Sequence, residues 1–136
     1  MHNVTAVSPT FSLINRNHTP TGRLLINDAD EIIYANTQAR HFLGLLSEES
    51  LQAEQKLMPL LHQMYQFYPH TAWQGWPKRP SPATNRYLIY RPPNSIHHAM
   101  LKVEIVEKIL LGGKNIWAIN MQLVETPRMT VKHLTV

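Results

Sequence analysis

Short apolar runs separated by polar turns open the regular part of the chain and predict two strands and a helix. Leu24 and Ile26 alternate with Arg23, Leu25 and Asn27, which predicts a first strand with apolar character on both faces. Ile32–Ala35 has the β-branched and aromatic residues of a half-buried strand. The acidic run Asp28–Glu31 between them predicts a tight turn held by its own side chains, which is favoured over a cation site. Asn36 then stands where a helix N-cap belongs, and Gly44 predicts a left-handed helix end.

Helical spacing of apolar residues continues through the middle of the chain. The sequence predicts one helix over Ser47–Leu57, capped by its serine, and another over Pro59–Tyr68, since proline suits the first helical position. The apolar residues of this region cluster on one side of a helical projection: Leu57, Leu60, Leu61, Met64, Phe67 and Tyr68. We expect that side to cover a sheet.

Three further strands are predicted after a long loop, Pro69–Ala83, that contains four prolines and two tryptophans. The predicted strands are Arg86–Arg91, Met100–Leu110 and Ile116–Val124. The predicted core-facing residues of the last two strands are all odd-numbered, so directly paired residues must have numbers with an even sum. A two-residue loop at Gly112 and Gly113 would make that sum odd and turn the core-facing residues of one strand outward. The hairpin therefore needs a three-residue loop or a bulge, with a glycine in the left-handed conformation.

Composition indicates one globular domain. The chain has 136 residues, of which 43% are hydrophobic and 16% charged, so it has the size and character of a domain with its own core. No apolar run approaches the roughly 20 residues of a membrane span, and the N-terminus lacks a signal-peptide pattern, so we expect a cytoplasmic protein without membrane contact. The absence of cysteine excludes disulfides and any flavin, chromophore or c-type haem attached through cysteine.

No motif typical of catalysis occurs in the sequence, so we expect no enzymatic activity. His41 and His62 project away from the apolar stripes of their predicted helices, so neither is expected to hold haem or a metal. The net charge of +4 equals the excess in the segment 69–91, which holds four basic residues and no acid. A solvated loop is favoured there over a nucleic-acid interface.

Region 22–126 resembles a PAS sensory domain. The residues that match the pattern of that family are Tyr34, Ala35, Asn36, Ala39, Leu43 and Gly44. Glu31 departs from it, because the family usually has a glycine in this turn. The resemblance implies an α+β fold in which a five-stranded antiparallel sheet, in spatial order 2-1-5-4-3, carries short helices on one face.

The same resemblance divides the chain into three parts. Residues 1–21 would form an N-terminal arm or flanking helix, 22–126 the sensor domain, and 127–136 a tail or linker to an effector domain. These parts predict a PAS-type sensory module of a bacterial signal-transduction or transcription-regulatory protein. It would bind a small ligand, a partner protein, or both, and shift the population of two arrangements that the effector on the same chain detects.

PAS domains hold ligands between the helices and the inner face of the sheet, so the resemblance implies a small-molecule site there. Its walls would be mostly apolar, as ligand cavities usually are: Phe42, Met64, Tyr65, Phe67, Trp117, Ile119 and Met121. A core simply filled by these large side chains is the alternative, since methionine fits irregular gaps. The ligand would be non-covalent, and its identity stays open.

The opposite face of the sheet points to a partner. Ile116 and Ala118 would lie on that face beside polar residues, and such a half-apolar surface needs a cover. The candidates are the apolar residues of the N-terminal arm or a second copy of the domain, so we expect a homodimer. The apolar residues of the arm are Phe11, Leu13 and Ile14.

Three alternatives to a ligand-binding sensor stay open. The first is a ligand-free protein–protein interaction domain that dimerises through the sheet. The second is a small enzyme with a ketosteroid-isomerase-like cone, for which only Glu107 offers an acid at a possibly inward strand position. The third is a nucleic-acid binder that uses Lys78 and Arg79.

Overall fold

The computed structural model describes residues 21–45, 55–80, 83–91 and 99–124. Within these ranges the chain is an α+β fold with one antiparallel sheet of six strands and two α-helices. The strands are β1 (Thr21–Asn27), β2 (Ile32–Ala35), β3 (Tyr65–Tyr68), β4 (Arg86–Tyr90), β5 (Met100–Leu111) and β6 (Lys114–Val124). The helices are α1 (Thr37–Leu43) and α2 (Leu57–Met64), and a 3-10 helix, His70–Trp73, follows β3. Neither α-helix is long and apolar enough to cross a membrane.

The order of the strands corrects the predicted sheet. The sheet runs β2-β1-β6-β5-β4-β3, with every neighbouring pair antiparallel. The prediction of five strands in the order 2-1-5-4-3 is wrong, because β3 extends the sheet beyond β4. The PAS fold is therefore not established by the sheet.

The additional strand occupies residues that the sequence pattern assigns to a helix. The predicted helix Pro59–Tyr68 is wrong at its C-terminal end, since α2 ends at Met64 and the next four residues pair with β4. Tyr65 is buried and Gln66 exposed, which is the alternation of a strand with one face on the core. Aromatic residues favour such a pleated surface, and the ladder with β4 satisfies their backbone groups.

Parts of the prediction fall outside the described residues. These are the helix over Ser47–Leu57 apart from its last residues, the arm over 1–21 apart from Thr21, and the tail over 127–136. The proposed cover of the sheet by the N-terminal arm lies outside them for the same reason.

The β5–β6 hairpin resolves its register conflict with a bulge. Gly112 and Gly113 have φ of 59° and 79° and form a two-residue turn, the conformation that such hairpins favour. The register then shifts at Val106, so that Ile105 pairs with Ile119 and the core-facing residues of both strands share one face. The predicted bulge and left-handed glycine are confirmed.

Helix α1 begins and ends as predicted. Asn36 Oδ1 accepts a hydrogen bond from the Ala39 amide at 2.9 Å, and Gly44 closes the helix with a left-handed φ of 68°. Asn36 also binds the neighbouring strand: it accepts from the Arg23 amide and donates to the Thr21 carbonyl, both at 3.0 Å. The cap residue therefore fixes the helix to β1 as well as starting it.

A close contact between α1 and β1 depends on Gly22. A Cβ atom at this position would lie 3.0 Å from the Phe42 side chain and 3.1 Å from Ala39 Cα. Glycine therefore lets the helix approach the strand. The buried residues of both helices join those of the strands in one core cluster on this side of the sheet, which we call the inner face.

Candidate ligand site and the arginine cluster

All seven residues predicted to line a ligand site belong to or pack against the core on the inner face. Six are buried, namely Phe42, Met64, Tyr65, Trp117, Ile119 and Met121, and Phe67 is half-buried against the same cluster. Their ligand-binding role stays a prediction. Their burial is compatible with a core that these side chains fill.

A buried polar contact joins a helix to a strand on this face. The Tyr65 hydroxyl, at the start of β3, donates a hydrogen bond to the Phe42 carbonyl in α1. Burial, with a smaller effect of Tyr90, raises the pKa of the Tyr65 hydroxyl above its ordinary value. The hydroxyl therefore remains a donor throughout the physiological pH range.

Two of the seven residues lie far apart. Trp117 is on β6 and Phe67 on β3, with two strands between them, so these two strands lie roughly 14 Å apart. The residue of β6 level with Phe67 is Leu123, six residues along the strand from Trp117. Trp117 Nε1 donates to Asp28 Oδ1 at 3.1 Å. Phe67 stacks on His62 with ring centroids 4.4 Å apart and meets Trp73 edge-on at 4.6 Å. The predicted site residues therefore spread across the inner face and do not converge on one point.

A buried arginine stands beside the Phe67 end of this face. Arg86 is only 2% exposed. Its Nε donates to the Ala72 carbonyl at 2.6 Å and its Nη2 to the Lys78 carbonyl, and its guanidinium carbon lies 5.6 Å and 4.9 Å from the ring centroids of Trp73 and Trp76. Burial lowers the pKa of the Arg86 guanidinium. We call Trp73, Trp76 and Arg86 the arginine cluster.

The two tryptophans of the cluster differ in their hydrogen bonds. Trp73 Nε1 donates to the carbonyls of Tyr68 and Tyr87, both at 3.2 Å, and so joins β3 to β4. Trp76 Nε1 is buried without a hydrogen-bond acceptor. A buried donor without a partner costs about 1–3 kcal/mol, so Trp76 is the residue of the cluster that the fold does not satisfy.

The sequence interpretation missed the cluster because it treated residues 69–91 as a solvated basic loop. That interpretation is wrong for Arg86. Arg86 and Leu88 are two residues apart on one strand, so the same parity that places Leu88 in the core also turns Arg86 inward. The alternation of inward and outward residues along β4 was therefore enough to predict that Arg86 is buried.

Two other arginines of this segment lie on the surface and bind backbone carbonyls. Arg79 Nη2 donates to the carbonyls of Ile105 and Val106, at 3.4 Å and 3.2 Å, where the bulge interrupts β5. Arg91 Nη2 donates to the His62 carbonyl at 2.7 Å. The basic segment therefore fastens itself to the sheet and to α2.

The acidic turn between β1 and β2 serves a structural purpose. Asp30 has a left-handed φ of 66°, and its Oδ2 accepts from the Met58 amide at 2.8 Å while its carbonyl accepts from the Leu57 amide at 3.0 Å. It thereby caps α2, whose own N-cap residue, Lys56, makes no capping bond. Burial raises the pKa of Asp30, against the opposing effects of the Met58 amide and Lys56.

The remainder of the turn binds itself and β6. Asn27 Oδ1 accepts from the amides of Ala29 and Glu31, both at 2.9 Å. Asp28 accepts from Trp117 Nε1 and from Asn115 Nδ2, both at 3.1 Å. The side chain that holds the turn is therefore that of Asn27, which precedes the acidic run, whereas the two aspartates bind α2 and β6. Within the described ranges, no three His, Asp or Glu side chains lie together as metal ligands would.

The outer face of the sheet carries an apolar row that runs across three strands. Tyr34, Leu25 and Ala118 are directly paired neighbours on β2, β1 and β6. Tyr34 is 51% exposed. Ile116 lies on the same face, as predicted, and is buried although it does not belong to the core cluster.

Comparisons with known proteins do not indicate a function, so the features described above are the basis for one. No protein-family model, no curated protein and no solved structure matches this chain. The class that the described residues define is an α+β domain with an antiparallel sheet covered by helices on its inner face. Its resemblance to PAS domains stays a prediction from the sequence motif.

Proposed function

We propose that this chain is a PAS-like sensory module of a bacterial signal-transduction or transcription-regulatory protein, without catalytic activity of its own. It binds a small ligand at the inner face and passes the change to an effector domain on the same polypeptide. The observation that carries the proposal is the hydrogen bond between Tyr65 and Phe42, because it joins β3 to α1 through two residues of the predicted site. A ligand that separates these residues moves a helix relative to the sheet.

Helix α2 would carry such a movement away from the ligand site. Helix α2 leads directly into β3, so its C-terminal end follows any shift of Tyr65. Its N-terminal end is held by Asp30. A ligand that binds one arrangement better shifts the population toward it by its difference in affinity.

Native mass spectrometry of the purified chain, with an absorbance scan, tests this proposal. We expect a bound small molecule or, after its removal, a compound that raises the melting temperature. The Tyr65→Phe variant keeps the ring and removes only the hydroxyl, so it should change ligand affinity while remaining folded. A chain that stays free of bound mass and gains no stability from a broad set of compounds contradicts the ligand-binding form of the proposal.

A ligand-free dimerisation domain is the second candidate, and the outer face favours it. The row Tyr34, Leu25 and Ala118 offers an apolar strip with a half-exposed tyrosine. Sedimentation equilibrium should then show a dimer that Tyr34→Glu dissociates. Tyr68→Glu is the matched control, since Tyr68 is 53% exposed on the same outer face of the sheet but lies on β3, at the opposite edge from Tyr34. Equal effects of both substitutions, or a monomeric wild type, contradict this candidate.

A further inference from the structure

The arginine cluster contains a buried positive charge for which the described residues supply no negative partner. Arg86 is bound only by neutral groups, the carbonyls of Ala72 and Lys78 and the two indole faces. A buried charge is normally paired, because taking it out of water costs several kcal/mol. The ion pair within the described ranges joins Lys102 to Glu104 and does not involve Arg86.

The acids of the described residues lie elsewhere. Asp28, Asp30 and Glu31 form the turn at the β1–β2 edge. Glu104 pairs with Asn120 on the outer face, opposite to the side on which Arg86 is buried. Glu107 follows the bulge and pairs with Ala118 on that same outer face. The surroundings of Arg86 in the sequence are cationic or neutral over 69–91.

Next to Arg86 lies a donor for which the described residues supply no acceptor. Trp76 Nε1 is buried and unbonded, and the Trp76 ring centroid lies 4.9 Å from the Arg86 guanidinium carbon. The guanidinium lies over the face of the Trp76 ring, and the indole N–H points outward in the plane of that ring, so only an oxyanion at the rim of the ring would accept from both donors. A buried cation without a counter-charge and a buried donor without an acceptor therefore lie side by side among the described residues.

The cluster adjoins the apolar part of the predicted site. Trp73 meets Phe67 edge-on at 4.6 Å. Arg86 pairs with Val103, which pairs with Met121, so the three side chains follow one another across the inner face. A molecule whose charged group reached Arg86 would have its remaining atoms over these apolar residues.

We propose that the ligand of this domain is an amphipathic organic anion, with its carboxylate or phosphate on Arg86 and Trp76 and its apolar body along the inner face. This inference rests on the proposed sensory function and names the class of molecule sensed. The anion replaces the Lys78 carbonyl at Arg86, because it supplies the opposite charge that the buried guanidinium lacks and can accept two parallel N–H bonds from it. Replacement frees the Lys78 carbonyl and so removes one of the bonds that hold the segment 74–80 over the cluster, while Arg79 keeps its bonds to β5.

Titration of the full chain with sodium octanoate tests the inference, with tryptophan emission and melting temperature as the two measurements. We expect saturable binding that raises the melting temperature. Acetate, which lacks the apolar body, should bind at least about tenfold more weakly, and neutral 1-octanol should not compete. Octyl phosphate in a parallel titration shows which of the two anionic groups the cluster prefers.

Variants of the cluster separate the anion site from general apolar binding. Arg86→Met should weaken octanoate binding by about tenfold or more, and Trp76→Phe by about fivefold, since each removes a donor to the anion. Lys114→Gln removes an exposed positive charge at the β5–β6 hairpin, outside the cluster and the segment 74–80, and should leave the affinity unchanged. If Arg86→Met does not fold, as circular dichroism will show, Arg86→Lys keeps the charge but not the forked donors and should also weaken binding by about tenfold.

Three results overturn the inference. They are no saturable binding of octanoate or octyl phosphate, equal binding by wild type and the Arg86 variants, and binding of 1-octanol as tight as that of octanoate. The last result, or a neutral molecule found by native mass spectrometry, would leave the sensory proposal standing and remove only the anion. Failure of every compound to bind, together with a clean apo mass, contradicts both.

Discussion

Two regions of this domain fasten other segments to the sheet by hydrogen bonds to the backbone. The acidic turn between β1 and β2 holds α2, and the arginine cluster beside β4 holds the loop after β3. Asp30 accepts from the first amides of α2, and Arg86 donates to the carbonyls of Ala72 and Lys78. The turn lies at the surface, where Asp28 binds two side-chain donors of β6. The arginine cluster is buried.

The two regions differ in how their charges are compensated. Asp30 Oδ1 is buried without a hydrogen bond, but the positive charge of Lys56 acts on this carboxylate. The described residues offer no such compensation to Arg86. The acidic turn is thus explained by its structural task alone, whereas the arginine cluster carries a charge that the fold does not need. This difference is our reason for placing a ligand at the cluster.

The largest effect should come from truncation of the buried arginine. Arg86→Ala removes two hydrogen bonds and leaves a cavity, so we expect the free energy of unfolding to fall by about 3 kcal/mol. Arg86→Met fills the space without a buried charge and should cost about 1 kcal/mol or less. Urea denaturation measures both. A loss below about 0.5 kcal/mol for Arg86→Ala would show that the arginine does not hold the loop.

Removal of the acidic cap should have the next largest effect. Asp30→Ala loses the bond to the Met58 amide. It also places alanine, which tolerates a left-handed φ of 66° less well than aspartate does, at this position. We therefore expect the free energy of unfolding to fall by about 2 kcal/mol. Asp30→Asn is the control, because its amide oxygen can still accept and asparagine tolerates this conformation. The same loss in both variants would contradict the assignment of Asp30 as the cap of α2.

A smaller effect is expected at the other end of the acidic turn. Trp117→Phe keeps an aromatic ring in the core and removes the indole N–H that binds Asp28, so the free energy of unfolding should fall by about 1 kcal/mol. Asp28→Asn retains an acceptor and should cost less than half of that. If Asp28→Asn is the more damaging of the two, the negative charge of the turn matters more than its hydrogen bond.

The smallest effect is a pH dependence of stability. Burial raises the folded pKa of Asp30 above its ordinary value of 3.8, so the folded state favours the protonated form. The corresponding stabilisation is present below 3.8 and is lost as the pH rises through the folded pKa. The unfolding free energy of wild type minus that of Asp30→Asn should therefore decrease from pH 3.5 to pH 7. An increase over that range would contradict the sign.

Features set by neighbours in the chain could be predicted from the sequence. The Asn36 cap and the Gly44 helix end depend on a few adjacent residues, and both are as expected. The need for a three-residue loop or a bulge in the β5–β6 hairpin also followed from the sequence, because the parity of two long strands constrains the register between them, whereas the position of the bulge at Val106 did not. Local chemistry and strand parity were sufficient for these elements.

Features set by distant parts of the chain could not be predicted in this way. Residues 65–68 carry aromatic side chains at spacings that fit the end of a helix or a short strand, and only pairing with β4 decides between them. Asp30 caps a helix that begins 27 residues later, a contact that sequence spacing does not indicate. The arginine cluster was missed because a charged residue was assumed to face water, although its parity pointed inward.

The central claim, that an anion binds at the arginine cluster, is tested most directly by two tryptophan indole protons. One lies in the cluster, and the other binds the acidic turn. Trp117 Nε1 binds Asp28, whereas Trp76 Nε1 has no acceptor. In a ¹⁵N-labelled sample, octanoate should move the Trp76 indole proton downfield as it gains an acceptor and leave the Trp117 indole proton in place. An unmoved Trp76 resonance at saturating octanoate, or equal shifts of both indoles, would contradict the account.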